Sequence, residues 1–428
     1  AGVACPATVP TGYYLISGPR GNVRDTTSEL MYNQVDLSAQ FSTGAVEHSL
    51  VVGASAGWEK FFLSTGNVYR NANGTVANAT YPLINWANPN DVVAGPAGFN
   101  YGSNVYTGPV NYFESGRQRG EVTNYAVYLF DTMKLGKFEL NGGVRYERNE
   151  GNYQTDAGTA ATVTTPQGAI ATGPRFRNDA DLFSYRIGLV YKPVEAVTLY
   201  AAYGNAQTPS QSAVNGGCNA LTCNVDPETA KNYEIGAKAE IGRALFSIAA
   251  FRNERDQYKV PSNDPTLPDQ VLDGHSRVDG IAVSATGNIT SAWSITANYT
   301  YLEPKLIRSV AVGSPDPAAG AELQNVPNHS GSLYTTYTLP FGLKLGYGVT
   351  YQGSFALNLP TAASAVVYRS DDYLVHNASV SYDITKDLSV LVNVKNITNE
   401  LYYTRIRNNG WATPGDARSA VLTVGYRF

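Results

Sequence analysis

Ser381–Phe428 reads SYDITKDLSVLVNVKNITNELYYTRIRNNGWATPGDARSAVLTVGYRF. Within it Val390, Val392 and Val394 alternate with Ser389, Leu391, Asn393 and Lys395, so a pleated strand here carries one apolar face and one mostly polar face. The end of the stretch repeats the pattern, with Ala420, Leu422, Val424, Tyr426 and Phe428 on one side and Val421, Thr423, Gly425 and Arg427 on the other. A short turn at Thr385-Lys386-Asp387, a longer connection from Ile406 to Ala417 and aromatics near the strand ends complete the outline of a hairpin in a transmembrane β-barrel.

Composition agrees. Charged residues make up 15% of the 428, against roughly 25% in average soluble proteins, while Gly (41) and Tyr (30) are abundant. No apolar run reaches the ~20 residues that a membrane-spanning helix needs, so any span must be β. A net charge of -4 argues against nucleic acid as a partner, because phosphate contacts draw on clustered Lys and Arg. Of three cysteines, Cys218 and Cys223 share the turn-rich stretch GGCNALTCN and are expected to form a small disulfide in an oxidising compartment. Cys5 is left over, either as a free thiol or with a partner in sequence outside this chain. The start, AGVACPATVP, has neither the basic segment nor the apolar core of a signal peptide, which reads as a mature or truncated chain.

Residues 1–28 hold Pro and Gly without sustained alternation and read as an external loop or a truncated start, ahead of a barrel over residues 29–428. Val35, Leu37, Ala39 and Phe41 then alternate with polar neighbours, and after Thr43-Gly44 a second strand covers about His48 to Phe62. The Asn-, Gly- and aromatic-rich segment Ser64 to Arg119 is too long for an ordinary connection and is functional or disordered. From Gly120 onward strands come in pairs, with tight turns at Gly136, Pro193 to Ala196 and Gly242-Arg243 alternating with long connections. A barrel in an outer membrane has that arrangement, with tight turns on one rim and long loops on the other. About fifteen strands emerge. An odd number does not close simply into an even-stranded antiparallel barrel, which points to a missing N-terminal part.

The segments YNQVDLSAQFSTGAVEHSLVVG, YAVYLFDTMKLGKFELNGGVRYERN, SYRIGLVYKPVEAVTLYAAYGNAQTPS, PETAKNYEIGAKAEI, LDGHSRVDGIAVSATGNITSAWSITANYTYLEP and LQNVPNHSGSLYTTYTL, with the closing NVKNITNELYY and PGDARSAVLTVGYRF, carry a family resemblance. Over nearly its whole length the chain resembles the C-terminal part of a TonB-dependent outer-membrane receptor of the ferric-siderophore branch, catecholate-type or related. The resemblance implies an all-β fold, a 22-stranded barrel of which this chain supplies strands eight to twenty-two, and an N-terminal plug and TonB-binding segment not visible here. It further implies a bacterial outer-membrane location and a ferric siderophore as ligand, with iron carried by that ligand and no cofactor held by the chain. TonB would act through the missing plug region, outer-membrane lipid and lipopolysaccharide would surround the wall, and the barrel-assembly machinery would engage the C-terminal strand ending at Phe428. A passive porin, or a barrel with a loop-borne enzymatic or adhesive function, is the alternative.

Catalytic patterns are weak. Gly53-Ala54-Ser55-Ala56-Gly57 matches G-x-S-x-G but lies in a strand, without the strand-to-helix turn that exposes such a serine. His48, His275, His329 and His376 have no metal-ligand spacing and read as rim or lumen residues. The remaining ligand candidates are Arg and aromatic residues of the long connections: Tyr69, Arg70, Trp86, Tyr101, Tyr106, Arg117 and Arg119, then Arg175 and Arg177, then Arg405, Arg407 and Trp411. Guanidinium forks suit carboxylate and catecholate-like anions, and aromatic faces stack on planar rings. The same residue types also build interfacial girdles and meet lipopolysaccharide phosphates.

Overall fold

The structure is a computed structural model that describes residues 9–15, 21–72, 83–88, 93–94, 100–101, 108–159, 169–211, 213–216, 218, 220, 223, 225–261, 270–406 and 412–428. A short strand β1 (Tyr13–Leu15) precedes the first long hairpin, β2 (Asn22–Thr43) and β3 (Val46–Asn67). The connection to the next hairpin holds β4 (Leu83–Asn85), β5 (Val93–Ala94) and β6 (Asn100–Tyr101). Then come β7 (Phe113–Leu135) and β8 (Phe138–Gly158), the two-residue β9 (Ile170–Ala171), and the pair β10 (Arg175–Val194) and β11 (Val197–Thr208). Four further pairs follow: β12 (Glu228–Ile241) with β13 (Arg243–Pro261), β14 (Gln270–Asn288) with β15 (Trp293–Arg308), β16 (His329–Thr338) with β17 (Lys344–Gln352), and β18 (Tyr373–Asp383) with β19 (Leu388–Lys395). A small hairpin, β20 (Tyr403–Ile406) and β21 (Ala412–Pro414), leads to the last strand, β22 (Ser419–Tyr426).

One 16-stranded antiparallel sheet holds the long strands in sequence order from β2 to β22, with β9 beside β8. The connections 44–45, 136–137, 195–196, 242, 289–292, 339–343 and 384–387 gather on one rim, and the long ones lie on the other. Gly136 and Gly242 hold φ of 56° and 66° in two of these turns, the left-handed conformation that tight hairpins need and that glycine adopts without strain. Both β2 and β22 run toward the short-turn rim. Among the described residues β2 pairs only with β3 and β22 only with β19, so these two strands are the sheet's free edges.

Strands reach further from the short-turn rim than the alternation foretold. The first long strand begins at Asn22, inside the stretch read as loop over residues 1–28, and the connection expected over Ser64 to Arg119 narrows to 68–112 because β3 runs to Asn67 and β7 starts at Phe113. Where a hairpin rises above a bilayer both its faces are wet, so the backbone ladder continues after the period-two signal in the side chains has faded.

Cross-strand register shows how the faces divide. Val392 stands opposite Val380 and Leu422, Val380 opposite Leu345, Leu345 opposite Tyr337, and Tyr337 opposite Trp293. At the other edge Val35 faces Ala54, Ala54 faces Val127 and Val127 faces Tyr146. This apolar face is open: Leu37 is 71% exposed, Ile235 64% and Leu422 65%. A contiguous bare apolar face of this size is a lipid-facing surface. Aromatic rings bound it on both sides. Near the short-turn rim Phe41 stacks on His48 at 4.7 Å, Phe138 stacks on Tyr191 at 4.8 Å, and Trp293 Nε1 donates to Thr335 Oγ1 at 2.7 Å. Nearer the long loops Tyr185, Tyr203 and Tyr233 form a row with centroid spacings of 5.8 and 4.9 Å. From Phe138 to Tyr146 a strand at 3.3 Å per residue and ~40° tilt rises about 20 Å, close to the ~25 Å band of such barrels. All four histidines lie on this outer face by alternation, none in the lumen. His48 pairs with Asp131, His275 with Asp256, and His329 and His376 meet the hydroxyls of Tyr299 and Tyr347.

Candidate functional site

The opposite face is polar and forms the luminal wall. Tyr128 OH donates to Asp36 Oδ1, and Gln34 Nε2 donates to both Tyr128 OH and Asp36 Oδ2 at 2.8 Å. The Arg145 guanidinium lies 5.2 Å from the Tyr128 ring centroid and donates to Glu147 at 2.7 Å. Two residues further along β7, Phe130 lies under Arg186 of β10 at 4.7 Å, and beyond it Lys238 Nζ sits 5.5 Å over Tyr200, whose hydroxyl donates to Glu234 at 2.7 Å. Each ring lies flat because a glycine of a paired strand is beneath it: Gly53 under Tyr128, Gly143 under Phe130 and Gly236 under Tyr200. Any side chain there would strike the ring, so the glycines are fixed by close approach despite their cost in strand stability.

Toward the long-loop rim the wall carries a lining of its own. The connection after β11 turns inward, and the Cys218–Cys223 disulfide packs with Tyr153 and Phe176, luminal residues of β8 and β10. Gln211, 1% exposed, donates from Nε2 to the Asn152 carbonyl at 3.0 Å. Gly151 and Gly120 leave the room: a Cβ at 151 would come within 2.7 Å of Gln211 Oε1, and one at 120 would strike the Val214 carbonyl. The bridge anticipated from GGCNALTCN is present, and it ties down a segment that lies against the lumen. Cys5 lies outside the described residues.

The twelve ligand candidates disperse. Tyr106, Arg407 and Trp411 lie outside the described residues, and of Tyr101 only the backbone pairing with Val93 is described. Trp86 is exposed, its backbone N–H bonded to Gly12, and Tyr69 covers Gly21. Arg70 lies 5.8 Å from the Phe113 ring, and Arg405 is exposed in the β20–β21 hairpin. Arg117, Arg119, Arg175 and Arg177 belong to strands and not to connections, because β7 and β10 extend through them. Alternation puts all four on the outer face above the aromatic row. Glu114 takes two bonds from Arg117 at 2.8 and 2.9 Å and one from Ser64, and these hold its carboxyl below the usual carboxylate range. Arg119 is ion-paired with the buried Asp156. Arg175 donates to Asn152 at 2.6 Å and reaches Glu121 at 3.4 Å, and Glu121 is depressed chiefly by the Trp58 indole N–H at 2.9 Å. The residues missed by sequence reading are Tyr128, Phe130, Arg145, Arg186, Tyr200 and Lys238. Their only sequence signal is an aromatic or a cation at a luminal position of an alternating strand.

The family model described as "TonB dependent receptor-like, beta-barrel" matches residues 8–397. The chain belongs to this family. Its barrels are outer-membrane proteins, and the open apolar belt between two aromatic rows is the physical counterpart of that location. Among relatives of this TonB-dependent receptor barrel, the probable TonB-dependent siderophore receptor PiuA of Acinetobacter baumannii is 27% identical over 96% of the chain and 54% of its own length. The catecholate siderophore receptor Fiu of Escherichia coli K12 is 26% identical over 95% of the chain and 52% of its own length. The crystal structure of PiuA superposes with a TM-score of 0.77 at 26% identity, covering 95% of this chain and 57% of that one. The closed form of Fiu gives 0.78 at 23% identity, covering 95% and 55%, a likeness of fold. The chain therefore spans about half the length of the curated relatives it matches.

Proposed function

We propose that the chain forms the greater part of the barrel wall of an outer-membrane receptor that imports a ferric siderophore of catecholate or related type, energised through TonB. The observation that carries this is the continuous likeness to PiuA and Fiu over 95% or more of the chain. The luminal wall supports it, since aromatic rings, guanidinium groups and an ammonium line a barrel too wide for its own side chains to fill. Ferric iron arrives as cargo inside the chelate, so the protein needs no resident metal. Among the twelve candidates, Tyr69, Arg70, Trp86 and Arg405 are the ones we retain as external ligand contacts, with Tyr101, Tyr106, Arg407 and Trp411 carried forward on residue type alone. Arg117, Arg119 and Arg175 hold the outer hairpins through their carboxylate and amide partners instead, and Arg177 stands on the same outer face of β10. The relatives are receptors, which favours this reading over a passive porin or a loop-borne enzyme or adhesin.

The test is iron-limited growth of a host lacking its own catecholate receptors, supplied with the complete gene that encodes this chain and with a ferric catecholate. Growth should require both the gene and TonB. Growth that persists without TonB would make the barrel a passive pore.

A further inference from the structure

The lipid face is not even. One cross-strand row runs over it from Val197 on β11 through Ala239, Phe246, Ala285 and Ala297 to Val349 on β17. Val197 is the first residue of β11 above the short-turn rim, whereas Val349 is the sixth of β17, so the row climbs diagonally from that rim toward the middle of the wall. It crosses six strand spacings, a path of about 29 Å that rises roughly 19 Å on strands tilted ~40°. One leaflet with its head groups is about 20 Å deep. Beside the row, where alanines stand between larger side chains such as Phe246 and Ile248, the face is hollowed into an apolar groove of about 620 Å³.

The two ends of the groove differ. Above it the Tyr299 hydroxyl meets His329 Nδ1 at 2.7 Å and the Tyr301 ring lies 5.1 Å from the same imidazole, covering the approach from the long-loop rim. Below, it opens beside the turns at 195–196 and 242. Glu195 and Arg243, exposed at those two turns, are opposite in charge and have no ion pair among the described residues. An apolar groove continuous with the lipid belt takes a hydrocarbon chain, and an acid and a base at its mouth match a zwitterionic head group. We propose that the groove binds one phospholipid of phosphatidylethanolamine type from the leaflet on the short-turn side. Its acyl chain packs against Ala239, Ala285 and Ala297, with the phosphate at Arg243 and the ammonium at Glu195. Lipopolysaccharide enters from the long-loop side and would have to pass the Tyr299, Tyr301 and His329 cluster. Many weak contacts along a fitted groove hold this chain where the rest of the belt exchanges freely, and the site is independent of what passes through the lumen.

Native mass spectrometry tests this on the complete protein that contains this chain, moved into detergent from vesicles of phosphatidylethanolamine and phosphatidylglycerol in equal amounts. The wild type should keep one phosphatidylethanolamine in preference to phosphatidylglycerol. Ala285→Leu combined with Ala297→Leu fills the groove while leaving the face apolar, and should reduce retention about tenfold. Arg243→Gln should reduce it about fivefold, and Glu195→Gln should abolish the preference between the two lipids. Ala378→Leu, on the same face but outside the groove, should change nothing. Heat-modifiable mobility in SDS gels checks that each variant is folded. No retained lipid, or equal retention in the wild type and the filled variant, overturns the site. Equal retention of the two lipids by the wild type, or a dimer of the protein in place of the lipid adduct, overturns the choice of occupant.

Discussion

Tyr128 lies flat over Gly53, and a Cβ at residue 53 would overlap the ring and the Asp36 carboxylate that the Tyr128 hydroxyl bonds. These residues are 75 positions apart in the chain and meet only because Gly53 stands opposite Tyr128 in the β3–β7 register. The ring is thereby pressed against the wall with Arg145 above it.

Gly53→Ala should therefore destabilise the folded barrel by about 1–3 kcal/mol, the usual range for overpacking. Gly142 is the control, since a Cβ there meets nothing within 4 Å, and Gly142→Ala should stay within about 0.5 kcal/mol. Urea unfolding in lipid vesicles reads both, and equal effects would mean that the ring does not rest on residue 53.

The face assignment is open to a paired test on β19. Val392 shares its face with Val380 and Leu422, and Asn393 with Ser379. Val392→Arg should lose roughly 2–4 kcal/mol through lipid exposure of the charge, while Asn393→Arg points into the lumen and should fold nearly as the wild type does. Comparable loss of folded barrel for the two would reverse the assignment.

Acid should act on the outer hairpins through Glu121. Its carboxyl is held below its ordinary 4.5, first by the Trp58 indole and then by Asn152. A depressed carboxylate contributes stability that is present above the unfolded value and lost as pH falls through the folded one. The Trp58–Glu121 bond should thus persist at pH 4.5 and break only at lower pH, seen as a shift in the Trp58 indole N–H resonance. In Glu121→Gln that transition should vanish, and its persistence would assign it to another group.

The Cys218–Cys223 bridge should hold the inward segment and not the barrel. Closing so short a loop contributes about 2 kcal/mol, all of it local. Replacing both cysteines with serine should speed hydrogen exchange across 209–227 and at Tyr153, with heat-modifiable mobility unchanged. Loss of that mobility would show that the bridge supports the wall itself.

The period-two pattern of Ser381–Phe428, the turn glycines and the alternation of short with long connections were enough to determine an antiparallel barrel wall of about fifteen strands, its lipid face and its disulfide. Each of these depends on residues adjacent in sequence, which is the range over which side-chain alternation and turn conformation act. Tertiary structure alone decided that Arg117, Arg119, Arg175 and Arg177 stand on the outer face, that the bridged segment turns into the lumen, and that Ala239, Ala285 and Ala297 share one groove on the lipid face. Those facts follow from register between strands tens of residues apart. Above the bilayer both faces of a hairpin are polar, so no pattern in the sequence marks which side a charge will take.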